Sequence, residues 1–214
     1  MLNCQSLLCL LCIAFMNTVY AQEILIGDFA QRSLIGWEKQ EFKGTTQYDL
    51  IQQEKKTVLR AISNGTASGI IYKTKIDLNK TPYLNWSWKI DNSYENYNET
   101  KKEGDDYPAR ISIIASTGIF FWQTLAINYI WASQQKIYKV WDNPYTSNVK
   151  MMALQSGKKY QGIWRFEKRN VKKDFKTLFG IDIISIDAVA IMTDGDNTQS
   201  SATAYYGQIS FSSQ

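Results

Sequence analysis

Acidic side chains follow an apolar run near the end of the chain, in the sequence IMTDGDNT (residues 191–198). Asp194, Asp196 and Asn197 supply hard oxygen atoms at close spacing, which is the ligand chemistry that Ca²⁺ prefers. The segment departs from the EF-hand pattern, because it lacks both the central glycine and the closing glutamate of that motif. It also suits a plain hairpin turn, since Asp-Gly is a preferred turn pair. The sequence therefore leaves two interpretations open, a calcium site and a turn.

A second polar group precedes a predicted strand in the middle of the chain, at Asp105, Asp106 and Arg110. In an extended segment Asp105 and Asp106 face opposite ways, whereas Asp106 and Arg110 share a side. We predict that these three side chains bind a ligand together with the rings of Trp141 and Tyr145, because charged groups bond to sugar hydroxyls and a ring covers the apolar face of a sugar. The structural alternative is a buried Arg–Asp brace, since a buried charge has to be paired.

The residue types that are missing exclude several mechanisms. The chain has no histidine, and its three cysteines, Cys4, Cys9 and Cys12, all lie within residues 1–21. Ser-His-Asp and Cys-His nucleophiles and zinc sites built on His or Cys are therefore excluded from the remainder. A glycosidase would need two carboxylates roughly 5–5.5 Å or 6.5–9.5 Å apart. The chain has enough acids for this, but the sequence does not identify catalytic residues or decide whether the protein is an enzyme.

The start of the chain predicts export. Residues 1–21 contain no charged side chain, are apolar from Leu7 to Phe15, and end in Val19-Tyr20-Ala21, so we predict a signal peptide cleaved after Ala21. The apolar run is too short to span a membrane. We therefore expect a periplasmic or secreted protein that folds without disulfides. Its net charge of +4 is low for a nucleic-acid-binding protein.

Alternating apolar and polar residues predict a β-rich chain. In YLNWSWKI (83–90) every second residue is apolar, which is typical of a strand with one buried face. The apolar run 119–132 is predicted to be a bent strand or hairpin, and KDFKTLFG (173–180) a short helix ended by Gly180. We expect an all-β fold, a β-sandwich of jelly-roll or galactose-binding-like type with one short helix, in a single domain over 22–214. Further strands are predicted at 57–63, 68–77, 109–116, 125–132, 162–168, 183–192 and 203–211.

Apolar residues in phase along the predicted strands identify the expected core. Trp164 is in phase with Phe166, and we predict that both are buried. The strand at 183–192 is expected to bury Ile184, Ile186, Ala188, Ala190 and Met192. The loop between the strands at 83–90 and 109–116 has no aliphatic side chain from 91 to 106, and its tyrosines could stack on a ligand or pack the loop onto the domain.

Several motifs, in order along nearly all of the mature chain, resemble domain-of-unknown-function family 3047. They are NWSWK, GDDYPARI, NYIWAS, NPYT, WRFEKRNVKKDFKTLFG, AIMTDGDNT and AYYGQISF. The resemblance implies an exported bacterial protein with one domain, and it implies no activity.

The sequence favours an exported, non-catalytic β-sandwich that binds a polysaccharide or a small polar ligand, with calcium as a candidate cofactor. It predicts neither nucleic-acid binding nor a membrane span. A carboxylate-based glycoside hydrolase or lyase and a structural envelope protein without a ligand are the alternatives.

Overall fold

The computed structural model describes residues 22–95, 97–118 and 123–214. The predicted signal peptide and residues 119–122, at the start of the predicted bent strand or hairpin, lie outside this part of the chain. The described elements are β1 (Glu23–Gly27), β2 (Trp37–Lys43), β3 (Gln47–Gln53), β4 (Lys56–Asn64), β5 (Ala67–Asp77), β6 (Tyr83–Ile90), β7 (Ala109–Ser116), β8 (Thr124–Ala132), β9 (Val140–Asn143), β10 (Thr146–Ser156), β11 (Arg165–Asn170), α1 (Val171–Phe179), β12 (Ser185–Asp194) and β13 (Ser201–Ser212).

The strands form two sheets that pack face to face. The six-stranded sheet has the order β11-β6-β13-β4-β3, with β1 as its sixth strand paired to β13. The seven-stranded sheet has the order β2-β5-β12-β7-β8-β10-β9. The last strand, β13, lies inside its sheet, because β6 pairs along one side of it while β4 and β1 share the other side. The predicted β-sandwich with a short helix is confirmed. None of the helices in the described part of the chain has the length and apolar character needed to cross a bilayer.

Aromatic residues join the two sheets in the core. Trp86 of β6 stacks on Tyr129 of β8 with their ring centroids 5.4 Å apart, and Trp88 lies 6.1 Å from Trp131. All four rings are almost completely buried. The alternating pattern therefore identified the inward face of β6 correctly.

The residues of β12 that face the core differ from those predicted. Its pairing with β5 shifts register between Ile186 and Ala188. Beyond the shift, Val189 and Ile191 enter the core, so Ala190 and Met192 lie on the outer face of the sheet. The prediction of one continuous apolar face was wrong, because a register irregularity exchanges the two faces of a strand. Ile184, also predicted to be buried, precedes the strand and is exposed.

The prediction that Trp164 and Phe166 are buried was also wrong. Phe166 pairs with Ser87 of β6 and is 77% exposed, and Trp164 is only partly buried. Both rings are on the outer face of the six-stranded sheet, which gives this face an aromatic surface.

Candidate functional site

The long polar loop before β7 is held against the seven-stranded sheet by a buried carboxylate. Glu99 accepts hydrogen bonds from the backbone N–H groups of Ser133, Gln134 and Gln135, at the end of β8. Burial raises the pKa of Glu99, although these backbone donors favour its charged form. The carboxylate thus pairs the buried N–H of Ser133 and the two N–H groups that follow it in the turn.

A buried ion pair lies where the loop enters the sheet. Arg110 of β7 donates to the carboxylate of Asp194 at the end of β12, and both residues are less than 10% exposed. The Tyr107 N–H donates to the same carboxylate at 3.2 Å, and the Tyr94 hydroxyl donates to the Asp194 carbonyl. The buried Arg–Asp brace that the sequence left as the structural alternative exists, with Asp194 and not Asp106 as the partner of Arg110. Tyr94 packs the loop onto the domain in this arrangement.

Asp106 connects the same loop to the turn after β12. Its carboxylate accepts hydrogen bonds from the backbone N–H groups of Asn197 at 3.2 Å and Thr198 at 2.6 Å. Asp106, Asp194 and Asp196 each bring a carboxylate oxygen within 4.8 Å of the other two. Acids that lie almost ninety positions apart in the sequence therefore converge at one end of the sandwich.

The acids in this cluster outnumber the cations that contact them. Burial raises the pKa of Asp194 to about 7, against the opposing effect of Arg110 and with a further contribution from Asp106. Burial also raises the pKa of Asp196, whose carboxylate lies 3.8 Å from the Lys43 amino group. This geometry can hold a cation, because carboxylates in close contact repel one another unless a positive charge compensates them.

Asp105 has partners on the opposite side of the loop. Its carboxylate accepts hydrogen bonds from the Tyr107 hydroxyl at 3.0 Å and from the Asn143 amide at 3.0 Å. The prediction that Asp105 and Asp106 face different partners is confirmed. Both acids are buried and bonded within the protein.

Of the two predicted ligand rings, Tyr145 contacts the turn beside the cluster and Trp141 contacts the loop before β7. Trp141 is half-buried and donates its indole N–H to the Glu99 carbonyl at 3.2 Å. Tyr145 is 56% exposed and accepts a hydrogen bond from the Asn197 amide at 3.1 Å. The structure brings the predicted residues to one region, but of the predicted ligand contacts only Tyr145 offers a large exposed surface. Direct ligand binding by the others stays a prediction, and their burial favours a supporting role.

The outer face of the six-stranded sheet carries an open groove, which the sequence did not indicate. This groove has a volume of about 1140 Å³, and we call it the outer groove. Its floor comes from β6 and β13, one wall from β11, and the other wall from β1, the segment after it and the β3–β4 hairpin. The lining includes Glu23, Asp28, Glu54, Lys55, Lys56, Asn85, Ser87, Trp164, Phe166, Lys168, Gly207, Gln208 and Ser210.

Rings along one wall of the outer groove are supported by a lysine. The Lys89 amino group lies 5.6 Å from the ring centroid of Trp164 and 4.4 Å from that of Tyr205. Such cation–π contacts contribute about 0.5–1 kcal/mol at exposed sites. They hold Trp164 in place while the neighbouring Phe166 remains open to solvent.

A glycine without a side chain leaves space at the floor of the outer groove. Gly207 lies in a register irregularity of β13, between Tyr206 and Ile209, and a Cβ atom there would collide with Ser87 Oγ. Glycine inside a strand often marks a bulge or a place where another group approaches closely. The floor therefore presents small hydroxyl and amide groups between two walls.

The family model described as protein of unknown function (DUF3047) matches residues 35–210. The chain belongs to this family. The motifs that suggested the resemblance lie within the matched region or at its edge. No curated protein sequence matches the chain.

Solved structures that are similar to this chain include two carbohydrate-binding modules and an adhesin domain. The family 30 carbohydrate-binding module of a cellulosomal cellulase of Clostridium thermocellum is 12% identical, with a TM-score of 0.51, and the match covers 90% of this chain and 98% of that one. A family 29 module from Piromyces equi is 11% identical over 92% and 93% of the two chains, with a TM-score of 0.45. The cleaved adhesin domain of Lys-gingipain from Porphyromonas gingivalis is 10% identical over 90% and 97%, with a TM-score of 0.41. At these identities the first match shows a shared fold.

Proposed function

We propose that this DUF3047 protein is an exported, non-catalytic module that binds a glycan in the outer groove. The observation that carries the proposal is the groove itself, in which Trp164 and Phe166 stand beside neutral amides and hydroxyls. Rings pack on the apolar faces of sugars, and a few polar groups then fix the orientation. The fold shared with a carbohydrate-binding module supports the proposal.

Hydrolysis is not part of the proposal, because the clustered acids do not form an open catalytic pair. Asp106 and Asp194 are buried and accept hydrogen bonds from the protein itself. A glycosidase needs two carboxylates that flank the bond in a cleft that admits the sugar chain. This observation favours binding over the hydrolase or lyase alternative.

Glycan binding is tested by affinity electrophoresis of the mature protein, residues 22–214, through gels that contain soluble polysaccharides. We expect at least one polysaccharide to retard the protein. Trp164→Ala and Phe166→Ala are each expected to weaken binding by about tenfold or more, which is about 1.4 kcal/mol.

Tyr145→Ala is the matched control, because Tyr145 is the exposed ring beside the acidic cluster. If Tyr145→Ala loses binding while both groove variants bind fully, the glycan site lies at the acidic cluster and not in the outer groove. Absence of retardation by every polysaccharide would refute the glycan proposal and leave a structural role.

A second part of the proposal is that Asp106, Asp194 and Asp196 hold a calcium ion. Their oxygen atoms are close enough to share one cation, and Ca²⁺ prefers carboxylate and carbonyl oxygens. The ion would stabilise the loop before β7 against the turn after β12, both of which the cluster joins.

Calcium binding is tested by thermal unfolding of the protein in millimolar calcium and in chelator. A ligand that binds only the folded state at a hundred times its Kd contributes about 2.7 kcal/mol, so the melting temperature should rise. Asp196→Asn should remove most of this rise without lowering the melting temperature in chelator, because it relieves repulsion in the metal-free cluster. Asp142→Asn is the control, since Asp142 lies outside the cluster. Equal melting temperatures of the unsubstituted protein in both solutions would contradict this part of the proposal.

A further inference from the structure

The charged side chains that line the outer groove balance one another. The acids are Glu23, Asp28 and Glu54, and the bases are Lys55, Lys56 and Lys168. One further acid of the lining, Glu167, turns inward. It accepts hydrogen bonds from the Trp88 indole at 3.2 Å and the Gln155 amide at 2.6 Å. The groove therefore lacks the excess of cations that a polyanion would need.

The cations nearest the aromatic wall are engaged with rings. Lys89 lies against Trp164 and Tyr205, and the Lys168 amino group lies 4.9 Å from the ring centroid of Tyr83. A carboxylate or sulfate group that bound there would have to compete with these contacts. The opposite wall carries the carboxylates of Glu23, Asp28 and Glu54, which repel an anion in the groove.

The floor of the groove offers groups that both donate and accept. Ser87 and Ser210 carry hydroxyls, and Asn85 and Gln208 carry amides. The Asn85 amide donates to Ser212 Oγ at 2.9 Å and to the Tyr83 carbonyl at 3.2 Å. Its amide oxygen is an acceptor with two lone pairs, which suits a sugar hydroxyl as donor.

The groove is longer than one sugar ring. It crosses from β11 over β6 and β13 to β1, which are neighbours in the sheet. Four adjacent strands span about 14 Å at the usual spacing of about 4.8 Å. The ligand is therefore expected to be an oligomer, with one ring on the aromatic wall and others along the floor.

Building on the proposed function, we infer that the outer groove selects an uncharged polysaccharide segment over an anionic one. The balanced walls, the occupied lysines and the neutral floor all favour a ligand without charge. This selection is opposite to that expected from the net charge of the whole chain, which is +4.

The test compares polysaccharides that share a backbone and differ in charge. The pairs are hydroxyethylcellulose with carboxymethylcellulose, methyl-esterified pectin with polygalacturonate, and dextran with dextran sulfate. Affinity electrophoresis at low and high salt gives the binding of each member. We expect the uncharged member of at least one pair to bind about tenfold more tightly than its charged partner at both salt concentrations. Trp164→Ala should abolish the difference in affinity between the two members of that pair.

Glu54→Lys is the matched charge variant, because Glu54 lies at the exposed tip of the β3–β4 hairpin. It should strengthen binding of the charged member more than binding of the uncharged member, so the preference for the uncharged member should fall. We expect no charged member to bind more tightly than its uncharged partner. Tighter binding that depends on salt and is lost in Trp164→Ala would overturn the inference, and the glycan proposal would stand. If no member of any pair binds, both are overturned.

Discussion

Replacing Asp194 with alanine is expected to lower the free energy of unfolding by about 3–5 kcal/mol. The substitution leaves Arg110 as a buried charge without its carboxylate partner, and it removes the acceptor of the Tyr107 N–H. Chemical denaturation in the presence of a chelator, at a pH above the Asp194 pKa, measures this loss without a contribution from metal binding.

Two further variants show whether the loss comes from the unpaired charge. Asp142→Ala breaks the ion pair of Asp142 with Lys150, in which the Asp142 side chain is 55% exposed, and should cost no more than about 1 kcal/mol. Asp194→Ala combined with Arg110→Met should recover much of the stability, because an apolar pair often replaces a buried ion pair at little cost. A double variant as unstable as Asp194→Ala alone would show that the charge is not the cause.

Glu99→Ala is expected to cost about 3 kcal/mol or more, since a hydrogen bond to a charged group contributes about 1.5–3 kcal/mol. The carboxylate accepts from three consecutive backbone N–H groups, and Glu99 is fully buried. Hydrogen exchange of the amides of residues 133–135 measures the effect locally, and denaturation measures it for the whole domain.

Glu103→Ala is the control for Glu99, because Glu103 lies on the same loop and is exposed. It should leave stability and exchange unchanged. Glu99→Gln should retain part of the protection, because its amide oxygen still accepts hydrogen bonds. Unchanged exchange of residues 133–135 in Glu99→Ala would refute the idea that this carboxylate holds the loop.

Strands with one buried face were predictable from alternation, whereas β10, which is buried on both faces, was not predicted. β6 and β7 begin and end at the residues predicted for them, 83–90 and 109–116. In β10, by contrast, Met151 to Leu154 are all buried. This strand pairs in parallel with β8, and its outward residues pack in a second, smaller apolar cluster. Parallel strands covered on both sides show no alternation, so periodicity does not reveal them.

Residue type alone singled out the acids of the cluster, but not their partners. Asp194 and Asp196 were candidate metal ligands together with Asn197, and Asp106 was a candidate sugar contact. Their proximity depends on which strands are neighbours, and pairing of β7 with β12 is a long-range property. The outer groove was missed because alternation places Trp164 and Phe166 on the same face without indicating whether that face is buried.

The interior position of β13 has a consequence for how the protein reaches its folded state. Three strands that come earlier in the chain, β1, β4 and β6, have no common partner until β13 has been synthesised. Pairings between distant parts of a chain form slowly, and unpaired strand edges are prone to aggregation. The six-stranded sheet therefore has to assemble after translation of β13, and the nascent chain needs protection until then.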